Sequence, residues 1–161
     1  MQDCVIETDL EILIPETYIS NSSERLQLYS GLDNVKDEVA LQIFSNSLID
    51  RFGPLPSAVE QLINSIRLRW MGEELGFEKI TLKNENLRAY FVTGKADYFK
   101  SDVFGKILTF VQTHPKQCRM KDTSGKLVLT IEKINSVEAS IAMLGNVTDY
   151  NFKSSMEIVS K

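Results

Sequence analysis

Carboxylates spaced by two along a strand share one face, and Glu7, Asp9 and Glu11 make such a row near the N-terminus. Paired carboxylates carry general acid/base chemistry in hydrolases. No other reactive group converges on the row, so a solvated strand face is the expected role. His114 is the single histidine, which leaves no two-histidine metal site and no relay through a second imidazole. Standing before Pro115, it is expected to close a helix. Cys4 and Cys118 lie far apart and match no CxxC-type ligand spacing, so two free thiols are expected. Gly94-Lys95 and Gly125-Lys126 lack the upstream glycine and the following Ser/Thr of a phosphate cradle and read as ordinary turns. No serine sits in a GxSxG elbow. The chain therefore reads as a non-enzyme, with no metal and no cofactor of its own.

Basic residues form the other constellation. Arg67 and Arg69 lie beside Trp70, and Lys116, Arg119, Lys121 and Lys126 gather around one predicted hairpin. Cations with a nearby aromatic suit single-stranded nucleic acid. Against this, Trp70 falls on an apolar helical stripe, and the net charge is −4 with a pI near 5.1, whereas dedicated nucleic-acid binders are usually basic. An accessory nucleic-acid-binding module built on this basic patch is the alternative reading.

The elements follow from periodicity and punctuation. A length of 161 residues suits one domain, and 43% apolar with 25% charged residues is the balance of an ordinary soluble protein. No apolar run approaches the ~18 residues of a membrane span, and no signal peptide opens the chain, so the cytoplasm is the expected compartment and no membrane partner is expected. Alternation from Ile6 to Ile14 predicts a strand ended by Pro15. Asn21 with Glu24 predicts a capping box for a first helix that carries Leu26, Leu28, Tyr29 and Leu32 and that Gly31 weakens or ends. Asp33 or Asn34 would cap a second helix with Val39, Ile43, Phe44, Leu48, Ile49 and Phe52 as apolar positions, stopped by Gly53-Pro54. Ser57 and Glu60 predict another capping box, and Val59, Leu62, Ile63, Ile66 and Trp70 stripe a third helix that stops at Gly76. Two hairpins follow, 77–83 with 87–92 and 117–121 with 126–132, separated by a helix over 101–113. Ser136 caps a final helix to about Leu144. The fold class is α+β: an N-terminal strand and three helices, then two antiparallel hairpins with an intervening helix and a C-terminal helix. Residues 1–147 read as one domain, helical to about 76 and β-rich over 77–147, and 148–161 as a polar tail expected to fray.

One stretch is more specific than any of these. LIDRFGPLP over 48–56, followed by SAVEQLINSIRLR, resembles the C-terminal domain of bacterial transcription-repair coupling factors. Further pieces occur in the same order. Pro15-Glu16-Thr17-Tyr18-Ile19 is similar to that family's LP-x-x-[YF]-I, Arg25-Leu26 with Tyr29 to its RL-x-x-Y, and Leu75-Gly76 with Lys79-Ile80 to its LG-x-x-K-[IL]. The resemblance implies a fragment of an ATP-driven DNA translocase whose ATP- and magnesium-binding domains lie upstream. In such a protein this domain would dock on the N-terminal UvrB-like module, mask its UvrA-recruiting surface and restrain the translocase. UvrA, RNA polymerase and DNA would be partners only through the parent chain. The docking contact implied lies at the end of the second helix, where the family pattern is E-L-x-D-R-[FY]-G. Asp50 and Arg51 match it, while Ser47 stands where the first acid would be. Asp50 also carries a physical signal of its own, since a carboxylate near a helix C-terminus opposes the helix dipole at a cost of about 0.3–1 kcal/mol when exposed. A basic partner would offset that cost, either Arg51 beside it or a base across an interface.

Overall fold

A computed structural model of the chain describes residues 3–147. The tail expected over 148–161 lies outside the described residues. In chain order the elements are β1 (Val5–Thr8), α1 (Ser22–Asp33), α2 (Glu38–Phe52), α3 (Ser57–Leu75), β2 (Phe77–Lys83), β3 (Asn86–Phe91), a short 3-10 helix (Ala96–Lys100), α4 (Asp102–Thr113), β4 (Cys118–Thr123), β5 (Lys126–Glu132) and α5 (Val137–Leu144). This is the α+β order expected, with the 3-10 turn added. The described residues divide into two compact units, one holding 3–10 and 65–147, the other Glu11–Asn64. The division between these units falls inside α3.

The first unit is built on a five-stranded sheet ordered β1-β2-β3-β5-β4. Every pair is antiparallel except β1 with β2, which is parallel and is joined by the long crossover through three helices that a parallel pair needs. Two-residue turns close both hairpins, Asn84-Glu85 at φ 54° and 61° and Ser124-Gly125 at φ 54° and 79°. Both residues of each turn are left-handed, which matches the twist of paired strands. Across the sheet, Ile80 faces Ala89 and Leu129, and Leu82 faces Leu87 and Ile131, all buried. The alternate residues Lys79, Tyr90, Val128 and Lys121 lie in register on the opposite face. Phe91 anchors an aromatic cluster, edge-on to Phe77 at 5.1 Å and to Phe104 of α4 at 5.7 Å. Ser101 caps α4 by accepting the Phe104 amide, and Ser136 caps α5 by accepting that of Ala139.

The predicted strand over Ile6–Ile14 ends early, at Thr8. Its hydroxyl donates to the Leu82 carbonyl at 2.8 Å and accepts the Leu10 amide at 2.9 Å, which turns the chain out of the sheet. Alternation beyond that point has no ladder to join.

In the second unit Asn21 caps α1 by accepting the Glu24 amide at 2.9 Å. Gly31 does not end α1, which runs through to Asp33. A Cβ built on Gly31 would meet the Phe44 ring at 3.9 Å, so the glycine sits in a packed position. Asn34 closes α1 instead of opening α2, and Asp37 is the cap of α2, accepting the Ala40 amide at 2.8 Å. Val35, buried between them, explains the extra linker residues. The buried stripe of α2 is Glu38, Leu41, Ser45 and Leu48. Ile43 and Ile49, expected on the apolar stripe, are 61% and 42% exposed. Apolar residues lie on several faces of this helix, so spacing alone did not fix which face turns inward. Ser57 is the first residue of α3 rather than its cap, and the Pro56 carbonyl accepts the amides of Val59 and Glu60. On α3, Val59, Ile63, Ile66, Leu68, Met71 and Leu75 are buried, while Trp70 is only half-buried.

Candidate functional site

The last turn of α2 explains DRFGPLP residue by residue. Gly53 ends the helix at φ 91°, ψ −170°, backbone that only glycine adopts readily, and its amide still reaches the Ile49 carbonyl at 2.9 Å. Tyr18 then secures the end: its hydroxyl lies 2.8 Å from the Gly53 carbonyl and 3.2 Å from that of Leu48, both acceptors. The Gly53 carbonyl is one that a helix end leaves without an internal partner, while that of Leu48 belongs to the last turn of the helix ladder. The ring of Tyr18 also meets Phe52, centroids 5.8 Å apart. Burial raises the Tyr18 phenol above its ordinary value, so it stays a donor well into alkali.

Arg51 is held from two sides. Its guanidinium pairs with the Glu24 carboxylate of α1 and stands 4.7 Å over the Phe52 ring. Two more sequence pieces explain themselves nearby. Arg25 donates to the carbonyls of Ile19 and Ser20 and lies 3.7 Å from Glu16, and the Tyr29 hydroxyl accepts the Ile14 amide at 2.7 Å.

Asp50 is the exception. It is exposed, and among the described residues it has no hydrogen bond and no ion pair. Ser47, one turn earlier on the same helix face, is exposed as well, and Ile43 extends that line by another turn. The outward stripe of α2 is therefore an exposed isoleucine, a hydroxyl and an uncompensated carboxylate. Ile43 was legible only as a core residue. Period-based reading assigned it inward, and nothing short of the tertiary packing corrects that.

The other candidate residues scatter. Glu7 pairs with Lys83 at 3.7 Å, Asp9 accepts the Asn84 amide at 2.9 Å, and Glu11 lies beyond the strand, so the three acids share no face. His114 closes α4: its amide donates to Val111, its ring stacks on Phe110 at 4.3 Å, and its Nδ1 is 2.8 Å from the Phe110 carbonyl. Cys4 and Cys118 are free and buried, and burial pushes the Cys4 thiol up to about 12, Glu73 adding to the rise and Arg69 opposing it. Among the described residues no three His, Cys, Asp or Glu side chains group as a metal site, and no helix is long and apolar enough to cross a membrane.

Of the six basic residues, Arg67 and Arg69 lie on α3, and Lys116 lies in the turn before β4, where it shares a pocket with Glu132. Arg119, Lys121 and Lys126 share one face of the sheet by register, with Arg119 paired to Glu132 and Lys126 to Glu78. Lys79, Arg88 and Tyr90, which sequence reasoning passed over, project from that same face. Strand parity in 79–83 and 86–90 was the signal that would have found them.

This arrangement of helices and sheet matches a solved structure described as the crystal structure of the C-terminal domain of transcription-repair coupling factor, at a TM-score of 0.73 and 15% identity, covering 96% of each chain. The TRCF domain family matches residues 8–101. This chain belongs to the TRCF domain family. Similar curated proteins are the transcription-repair-coupling factors of Rickettsia conorii, 28% identical over 147 residues, and of Escherichia coli, 33% identical over 79. Those matches cover 89% and 49% of this chain but only 12% and 7% of the relatives, so this TRCF domain spans about a tenth of the proteins it resembles.

Proposed function

We propose that this chain is a non-catalytic docking and autoinhibitory domain of a transcription-repair coupling factor. It binds the N-terminal UvrB-like module of the same protein, covers that module's UvrA-recruiting surface and restrains the DNA translocase. ATP and magnesium then belong to the upstream translocase domains, DNA and RNA polymerase are met through the parent protein, and the compartment is the bacterial cytoplasm. Membership of the TRCF domain family supports the setting.

One observation carries the placement of the contact. Asp50 opposes the dipole of α2 and has no partner among the described residues, while the adjacent base, Arg51, is already held by Glu24 and Phe52. A base on the partner module offsets that cost, with Ser47 and Ile43 completing the face. Ser47 in place of the family's first acid leaves Asp50 as the single charge of this pair.

The test is calorimetric titration of this chain with the separately expressed UvrB-like module, comparing the wild type with Asp50→Arg. Loss of about 2–5 kcal/mol of binding is expected if the pair is desolvated, against under about 1 kcal/mol for a rim contact. Unchanged affinity would place the contact elsewhere, and no binding by the wild type would overturn docking itself.

A further inference from the structure

We propose that the polar face of the sheet in the first unit binds single-stranded nucleic acid. The register builds this face from two parallel rows. One runs Lys79, Tyr90, Val128 and Lys121 across β2, β3, β5 and β4; beside it run Thr81, Arg88, Thr130 and Arg119. The first row is an apolar strip, Tyr90 beside Val128, with a lysine at each end. At strand spacing the two lysines stand about 14 Å apart.

Three ion pairs on this face cancel: Lys83 with Glu7, Lys126 with Glu78 and Arg119 with Glu132. Three cations are left over. Lys121 is exposed, Arg88 is half-buried, and neither has a carboxylate partner among the described residues. Among the described residues Lys79 has no ion pair, and its ammonium stands 4.5 Å over the Tyr90 ring. Asp3 lines the pocket beside Lys79 and Tyr90 as a further carboxylate, so six cations stand against four acids and the face still carries net positive charge on a chain whose total is −4. Surplus cations select an anionic occupant. The strip they enclose favours nucleic acid over an acidic peptide, because a base plane stacks on Tyr90 and Val128 while its phosphates reach the flanking lysines. Occupancy requires the Lys79 ammonium to leave the ring for a phosphate, which exchanges a cation–π contact for a charge-assisted one. The face lies in a different unit from Asp50, so neither reading depends on the other.

The experiment is fluorescence anisotropy of a labelled oligodeoxythymidylate of about 20 nucleotides titrated with this chain near 50 mM salt, and again near 200 mM. Saturable binding that weakens at least about tenfold at the higher salt is expected. Arg88→Glu and Lys121→Glu should each weaken it about tenfold or more, and Tyr90→Ala several-fold, while Asp50→Arg does not weaken it. Circular dichroism confirms that each variant is folded; Lys121, exposed on an outer strand, is the substitution least able to disturb the sheet. No binding at the lower salt overturns the proposal, as does binding that the face variants leave intact. Equal binding of a poly-glutamate peptide, insensitive to Tyr90→Ala, overturns it in favour of an acidic protein partner.

Discussion

Glu24 of α1 pairs with Arg51 in the last turn of α2, so the base that follows Asp50 in the chain is turned to another acid. Of the two ways to offset Asp50 that its position suggests, the one inside the helix is therefore already in use.

The Glu24–Arg51 pair is half-open to solvent, with side chains 30% and 52% exposed. Such pairs contribute little, and a double-mutant cycle of Glu24→Gln with Arg51→Met is expected to give a coupling of about 0.2–1 kcal/mol that shrinks as salt is added. A coupling well above that range, insensitive to salt, would contradict the exposed geometry. Arg51→Met should cost somewhat more than Glu24→Gln, because it also removes the cation from the Phe52 ring.

Asp50→Asn makes the opposite prediction. An exposed carboxylate without a partner at a helix C-terminus destabilises the isolated chain, so neutralising it should raise the unfolding free energy by about 0.3–1 kcal/mol in urea denaturation. The same change should weaken association with the UvrB-like module. Stability bought down in the free chain and recovered in the complex is the signature of a contact residue. An unchanged or lower stability in Asp50→Asn would mean that the carboxylate is compensated within the fold.

Tyr18→Phe tests the far end of the same structure. The phenol serves two carbonyls at the end of α2, and its removal should cost about 0.5–1.5 kcal/mol, with the ring contact to Phe52 kept. A loss above about 3 kcal/mol would show that the hydroxyl organises more than the helix end.

These relationships mark where the sequence could and could not be read. Some local devices were legible, the caps at Asn21 and Ser136 and the stops at Gly53 and Gly76, each of which depends on residues within four positions of one another, whereas the caps expected at Asp33 or Asn34 and at Ser57 fell elsewhere. Of the candidate site, Asp50 was legible because its conflict with the helix dipole is local. The link from Tyr18 to Gly53 spans 35 positions, and Glu24 to Arg51 spans 27, so no period or motif announces either. The parallel pairing of β1 with β2 was hidden for the same reason, and with it the point where β1 ends. The phase of α2 was misread because Ile43 and Ile49 look like core residues to any rule that counts spacing.

Cys4 supplies a prediction in alkali. Its thiol is 1% exposed, and burial holds it near 12, above the ordinary 9.0, with Glu73 adding to the rise. A raised pKa in the folded chain means that the unfolded chain loses the proton first. The stabilising contribution is therefore complete below about pH 9 and is lost as pH climbs from 9 toward 12, by at most about 1.4 kcal/mol per pH unit for this one group. Cys118 and Tyr18 are shifted the same way by burial and add to the fall. The wild type should thus lose stability steeply between pH 9 and pH 11, and Cys4→Ala should lose it less steeply while starting lower at neutral pH. Gly72→Ala separates packing from charge, since a Cβ there would stand 2.6 Å from the Cys4 sulfur and 3.0 Å from Ile80. It should cost about 1–3 kcal/mol at neutral pH, with part of the loss recovered in the double variant with Cys4→Ala. Parallel pH profiles for wild type and Cys4→Ala in urea denaturation would show that the thiol is not the group that titrates.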